Sequence, residues 1–212
     1  MDRKIAFFDV DDTLISPAFV NIAHPYIKEI INTNFFHSIK LVSLCLLHKM
    51  GILKYETILQ FTARVFINKQ KNIIDSIIEK TVEKIHLYYN KNIIDSLEFY
   101  KKSGWEIYLI SALPEFVLEK IAKNMGVGGF IGTKMDLNSF VIQTPCVYGK
   151  GKTYWAQQKC FELNVPIENC IFYGDSISDL DLLKKCGKGI LVNPGFFLKF
   201  AARKNRLGVC HV

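Results

Sequence analysis

Apolar and polar positions along the chain follow two rhythms. Residues 4–10 are almost continuously apolar and rich in aromatic and β-branched side chains, the pattern of a strand buried on both faces of a parallel sheet. Residues 105–110, 170–173 and 189–192 repeat it. Each of these three is followed by apolar residues at helical spacing, over 114–125, 178–185 and 196–204. A further amphipathic stretch, 152–163, ends at Asn164 and Pro166. Strands alternating with helices predict an α/β fold built on a parallel sheet.

One long segment breaks the alternation. Residues 16–90 show no period of two and almost no Gly or Pro after Pro25, while Ile58, Phe61 and Val65, then Ile73, Ile77 and Ile78, recur at helical spacing. Three or four helices forming an insert are expected there, so the core comprises residues 1–15 and 91–212 and the insert 16–90. Residues 92–102 read as a core helix ended by Ser103-Gly104. The weak alternation over 132–144, around Asn138-Ser139, predicts a hairpin flap. The hexapeptide Lys-Asn-Ile-Ile-Asp-Ser occurs at 71 and again at 91, and two copies do not make a repeat architecture.

Composition narrows the class. Half of the 212 residues are hydrophobic and 22% are charged, which excludes disorder as the main state. The six cysteines, Cys45, Cys146, Cys160, Cys170, Cys186 and Cys210, are scattered without paired metal-site spacing and read as small buried hydrophobes in a reducing compartment. The opening run places acids directly after a short apolar stretch, unlike a secretory signal, and the apolar stretch 41–47 is too short to span a bilayer. A cytoplasmic protein is therefore expected. The formal charge of +7 raises the question of nucleic acid, but the lysines are spread along the chain and only four arginines occur. A small anionic substrate, and no nucleic acid, is the expected partner.

The candidate chemistry sits at strand ends. Asp9, Asp11 and Asp12 crowd the end of the first strand, where like charges raise one another's pKa unless a cation neutralises them. Open α/β sheets bind ligands at this end of their strands. A second acidic pair, Asp175 and Asp179, follows the strand at 170–173. Two such clusters supply the oxygen ligands that a hard cation such as Mg²⁺ takes. Ser111 and Ala112 precede a helix, where a hydroxyl and free backbone N–H groups can cradle phosphate. The run Gly149-Lys150-Gly151-Lys152-Thr153 is not a nucleotide-binding P-loop, because Cys146 stands where that motif requires Gly, yet Lys152 suits a charge clamp on phosphate.

In this order, Asp9-x-Asp11-x-Thr13, Ser111, Lys152 and Gly174-Asp175-Ser176-x-x-Asp179 resemble the four signatures of the haloacid dehalogenase superfamily, in its subfamily IB, phosphoserine-phosphatase-like branch. The resemblance implies a Rossmannoid parallel sheet core flanked by helices, with a helical C1-type cap insert. It implies a Mg²⁺-dependent phosphatase in which Asp9 is the nucleophile that forms an aspartyl-phosphate, and Asp11 protonates the leaving oxygen and then activates water. Thr13, Ser111 and Ala112 would bind phosphate and Lys152 would balance charge. Metal would be held by Asp9, Val10 through its carbonyl, Asp11, Asp175 and Asp179, the last also positioning Lys152. Position 12 is commonly Gly in this family, and Asp12 is among the few residue types that accept a left-handed turn.

The resemblance to phosphoserine phosphatase weakens in the cap. Ala18 stands where that enzyme has the Glu that holds the substrate ammonium, and Arg64, the cap's only arginine and the one candidate there for a substrate carboxylate, is not at the expected spacing. Phosphoserine is therefore not the expected substrate. The stretch 35–53, apolar nearly all round near 41–47 and flanked by Lys40 and Lys49, is expected to be core or to touch a membrane, which keeps a lipid head-group phosphatase open. A phosphotransferase, which would pass the phosphoryl group to an acceptor besides water, is compatible with the same residues, whereas the retention of every catalytic position argues against a non-catalytic binding module.

Overall fold

The computed structural model describes residues 3–30, 43–44, 47, 53–63, 71–136, 139 and 141–212. Its centre is β1 (Ile5–Phe8), whose four residues are fully buried. Among the described residues the sheet has six strands: β1, β2 (Glu106–Pro114), β3 (Gly129–Thr133), β4 (Cys170–Gly174), β5 (Lys188–Val192) and β6 (Gly208–Cys210). They lie in the order β3-β2-β1-β4-β5-β6, and every neighbouring pair is parallel. The chain builds outward from β1 on one side, then returns to place β4 against β1's other edge. Such a switch in strand order opens a crevice at the carboxyl ends of the central strands.

The period-two alternation of each strand feeds two layers. Ala6 and Phe8 face a cluster completed by α1 (Phe19–Ile30), α3 (Lys71–Lys84), α4 (Lys91–Lys102) and α5 (Glu115–Asn124). Ile5 and Phe7 face the opposite cluster, with α6 (Lys150–Glu162), α7 (Leu180–Lys185) and Ala202 of α8 (Phe196–Lys204). Burying one phenylalanine fully contributes about 1.5–3 kcal/mol, so the pair Phe7 and Phe8 alone anchors β1 from both sides.

The apolar runs mark β1, β2, β4 and β5 where the sequence places them, and three details differ. β2 continues through Pro114 with a register irregularity after Ile110, so Ser111 and Ala112 belong to the strand rather than to a loop. The first residues of the expected flap form β3, a parallel core strand. What remains of the hairpin is the Met135–Ile142 bridge with bonds from Asp136 N to Val141 O (3.0 Å) and from Gln143 N to Lys134 O (2.9 Å). β6, three residues long, had no readable signal.

The insert contributes α1, α2 (Tyr55–Ala63), α3 and a 3₁₀ turn at Ile85–Tyr88. Ile74, Ile77, Ile78 and Val82 form the buried stripe of α3, which packs between α1 and α5. Apart from residues 43–44, 47 and 53, the apolar stretch 35–53 lies outside the described residues, as do Val65 and Arg64. The chain enters and leaves the insert at one place. Ser16 N donates to Tyr88 O (3.0 Å), Asn90 N to Leu14 O (2.9 Å) and Asn90 Nδ2 to Thr13 O (2.6 Å), and Ile15 bridges Tyr89. Cys146, Cys160, Cys170 and Cys186 are buried and free, Cys210 is half-buried and Cys45 lies outside the described residues.

Candidate active site

Asp9 is the first residue beyond β1 and Asp175 the first beyond β4, and the two strands are neighbours in register, with Asp9 N donating to Tyr173 O at 2.9 Å. Period-two alternation puts Asp9 on the same face as Ile5 and Phe7, the face covered by α6. From α6, Lys152 brings its ammonium to 3.0 Å from Asp9 Oδ1 and 2.6 Å from Asp179 Oδ1, over the Phe172 ring. The side chains of Lys152, Asp9 and Asp179 are all at least nine-tenths buried. Asp179 Oδ2 accepts from Ser176 N (3.1 Å) and Ser176 Oγ (2.7 Å), a capping box at the turn leading into α7. Asp179 thus holds Lys152 with one oxygen and its own loop with the other.

Two glycines permit this approach. A Cβ on Gly151 would lie 1.9 Å from Cys146 O, so the helix start that carries Lys152 can press against residue 146 only without a side chain there. A Cβ on Gly174 would stand 2.9 Å from the Asp179 side chain. Asp12 sits at φ 55°, the left-handed turn expected of it, and turns the chain after Asp11.

Charge is in deficit at the centre. Carboxylate oxygens of Asp9, Asp175 and Asp179 lie within 4.8 Å of one another, and Asp11 adds a fourth acid whose charge reaches both Asp9 and Lys152. Lys152 is the cation they share. Burial lifts Asp9 well above the usual carboxylate range, Asp179, Asp175 and Asp11 add to the rise, and Lys152 opposes it without winning. Burial likewise raises Asp11 to about 6 against the bond that Phe19 N donates to its Oδ1 at 2.6 Å. Asp175 is raised to about 6 by burial and by Asp179. Burial would lower Lys152, but Asp179 and Asp9 outweigh it and hold its pKa above that of an ordinary lysine. Acids so destabilised by mutual repulsion fit a divalent cation bound by oxygen ligands.

The remaining expected residues fall around this centre. Thr13 is fully buried, and its Oγ, like that of Thr153, finds no hydrogen-bond partner among the described residues. Ser111 is buried near the end of β2, beside β1, and its Oγ accepts from Leu113 N at 3.2 Å. The Val10 carbonyl is turned into the loop, where it accepts from Thr13 N (3.3 Å), Leu14 N (2.9 Å) and Ile15 N (3.1 Å). Its place among the expected metal ligands is thereby taken by backbone donors. Ala18 is half-buried ahead of α1.

Two tyrosines had no signal in the sequence. Tyr55, at the start of α2, stacks on Tyr148 of the loop before α6, with centroids 4.1 Å apart and planes within 8°. The charge of Asp11 reaches Tyr55, and a bond with Ser178 holds the Tyr148 hydroxyl. Beside them Glu56 hydrogen-bonds the Cys146 thiol, which burial and that acid push up to about 12. α2 therefore meets the loop before α6 near Asp11. A groove of about 980 Å³ between α5 and the residues around 134–143 is lined by Glu115, Glu119 and Asp136 and by none of the clustered acids. Buried charge, not groove size, marks the site.

Comparison with known proteins supplies three findings. The pattern of haloacid dehalogenase-like hydrolases matches residues 6–184. The chain is 26% identical over 106 residues to phosphoserine phosphatase SerB1 of Mycobacterium tuberculosis, a match covering 48% of this chain and 34% of that protein. The match thus spans about a third of the relative's length. Among solved structures, a Bordetella pertussis Tohama I protein of unknown function superposes with a TM-score of 0.85 at 19% identity, covering 99% of this chain and 98% of the second chain. The phospho-aspartyl intermediate analogue of phosphoserine phosphatase gives 0.72 at 15% identity, covering 100% and 94%.

Proposed function

Because the chain belongs to the haloacid dehalogenase-like hydrolase family, we propose that it hydrolyses a small phosphomonoester through a covalent intermediate on Asp9. The observation that carries this reading is the buried Lys152 ammonium held between Asp9 and Asp179, with Asp175 alongside. Paired with Lys152, and with a divalent cation that would offset the neighbouring acids, Asp9 would act as an ionised carboxylate, which needs no base to be a nucleophile. Asp9 attacks phosphorus, the bond from phosphorus to the ester oxygen breaks, and Asp11 gives its proton to that departing oxygen. Asp11 then takes a proton from water, whose oxygen attacks the phosphorus of the aspartyl-phosphate and releases phosphate, restoring Asp9. A carboxyl raised to about 6 is suited to both duties near neutral pH.

Lys152 offsets the charge that gathers on phosphoryl oxygens and on Asp9, and Asp179 keeps it aimed. The unpartnered Thr13 hydroxyl and the Ser111 hydroxyl would hydrogen-bond the phosphoryl group. Asp9 and Asp175 would hold Mg²⁺, with Asp179 at the same cluster, and when bound the ion supplies positive charge that this acid-rich centre lacks. Val10 is left out of that set because its carbonyl is engaged. The insert, 16–90, acts as a cap that brings Tyr55 over Asp11, where the leaving group departs. With Ala18 at the ammonium position, the leaving group need not be an amino acid.

The test is phosphate release from an aryl phosphate and a panel of phosphomonoesters, phosphoserine included, with Mg²⁺ or with EDTA. Metal-dependent release that falls about 10⁴-fold or more in Asp9→Asn is the expected result. Equal release with EDTA, or from Asp9→Asn, would overturn the reading.

A further inference from the structure

The chain's charge is distributed unevenly. Residues 182–212 carry Lys184, Lys185, Lys188, Lys199, Arg203, Lys204 and Arg206 and no Asp or Glu, whereas residues 1–181 carry 20 cations and 20 acids, so the whole formal charge of +7 resides in this final segment. The same segment contains α8, whose Phe196, Phe197 and Phe200 are 83%, 88% and 72% exposed. Only Ala202 of α8 is buried, with Leu198 and Ala201 half-buried. At 3.6 residues per turn, Phe196, Phe197, Phe200, Arg203 and Lys204 share one outward sector opposite Ala202. Rings occupy its first half and cations its last turn. Scattered exposed apolar residues are ordinary, but three nearly bare rings within five residues on one face are a patch that something covers.

The charge says what. Rings beside several cations, with no acid in the segment, match the boundary of an anionic bilayer, where rings enter between head groups and cations meet phosphates. Duplex nucleic acid would use the cations but leave the rings in water. We infer that α8 is an interfacial helix that docks the protein on an anionic lipid surface. Its place in the fold gives the docking a purpose. α8 carries the chain from the carboxyl end of β5 to the start of parallel β6, so its first turn lies at the same sheet edge as Asp9 and Asp175. β5 is two strands from β1, about 10 Å at the usual strand spacing. The aromatic end of the patch is therefore the end nearest the catalytic edge. α8 lies beyond residues 6–184, so the inference does not rest on the family match.

The experiment is co-sedimentation with vesicles of phosphatidylcholine alone or with about 30 mol % phosphatidylglycerol. The protein is expected to sediment with the anionic vesicles only, and the triple variant Phe196→Ser, Phe197→Ser, Phe200→Ser to stay in solution. Arg203→Gln with Lys204→Gln should weaken binding about 25-fold, since each cation near such a surface is worth about fivefold. None of these residues belongs to the catalytic centre, so aryl phosphate turnover should be unchanged; an unchanged thermal midpoint reports folding even if no turnover is seen. Four results would overturn the inference: no sedimentation with either vesicle, sedimentation that survives the phenylalanine changes, a dimer that these changes dissolve, or duplex DNA binding that competes with the vesicles.

Discussion

The buried acid cluster around Lys152 and α8 invert the same rule in opposite directions. Around Lys152 the molecule buries charge, pairing one ammonium with Asp9 and Asp179 among acids that would repel one another without it. Along α8 it exposes Phe196, Phe197 and Phe200 and leaves cations without acids. Buried polar groups and exposed apolar patches are the two departures from ordinary folding that carry information. The first departure is held in place by partners within the chain. The second is the face proposed above to meet an anionic lipid surface.

The sharpest way to break this contrast is to remove one lysine from each region. Lys152→Met should cost about 3–5 kcal/mol in urea unfolding, because it strands buried carboxylates. Lys199→Met should change stability by less than about 0.5 kcal/mol. Equal losses would mean that Lys152 is a surface-type pair after all. Next in size is Thr13→Val. Its hydroxyl has no hydrogen-bond partner among the described residues, so activity should fall about 10²-fold with stability nearly unchanged, as kcat/KM measured beside the thermal midpoint would reveal.

Acidity probes the same centre more gently. Asp11 and Asp175 have folded pKa values raised from 3.8 to about 6. The folded state therefore binds more protons than the unfolded state between those values, and this contribution to stability is present at low pH and lost as pH rises through about 6. In EDTA, lowering pH from about 7.5 to about 5 should add roughly 1 kcal/mol for each group. Mg²⁺ competes with those protons, so the rise in thermal midpoint that it causes should be larger at the higher pH. A larger rise at the lower pH would place the metal elsewhere. The smallest effect expected is that of Thr153→Val. It deletes the second unpartnered hydroxyl and should raise stability by up to about 1 kcal/mol while leaving turnover intact.

What could be read from the sequence follows from how local each signal is. β1, β2, β4 and β5 announce themselves as apolar runs, and the acids beyond β1 and β4 lie within a few residues of them. β3 did not, because Gly-Phe-Ile-Gly-Thr offers only two apolar side chains between glycines, and β6 is too short to show a period. The helix at 196–204 was legible, but its pattern cannot say which face meets the sheet. The hydroxyl of Thr13 was legible as part of a motif. The meeting of Tyr55 with Tyr148 was not, since the two lie far apart in the chain and only the docking of α2 joins them. The engagement of the Val10 carbonyl by backbone donors was not legible for a related reason: which backbone oxygens a loop consumes is decided by its turn, not by its residue types.

The paired backbone where Ile15 meets Tyr89 has an evolutionary corollary. Once Ser16 and Asn90 are tied to Tyr88 and Leu14, the polypeptide between them is a closed loop as far as chain statistics are concerned. The entropic cost of closing such a loop grows only with the logarithm of its length, about 0.6 kcal/mol for each doubling. Lineages can therefore lengthen or shorten the chain between those two points at small entropic cost, provided that the faces of α1 and α3 that complete the cluster under Ala6 and Phe8 are kept. Natural variation that explores new substrates has a place to accumulate, while Asp9, Asp175 and Lys152 stay where they are.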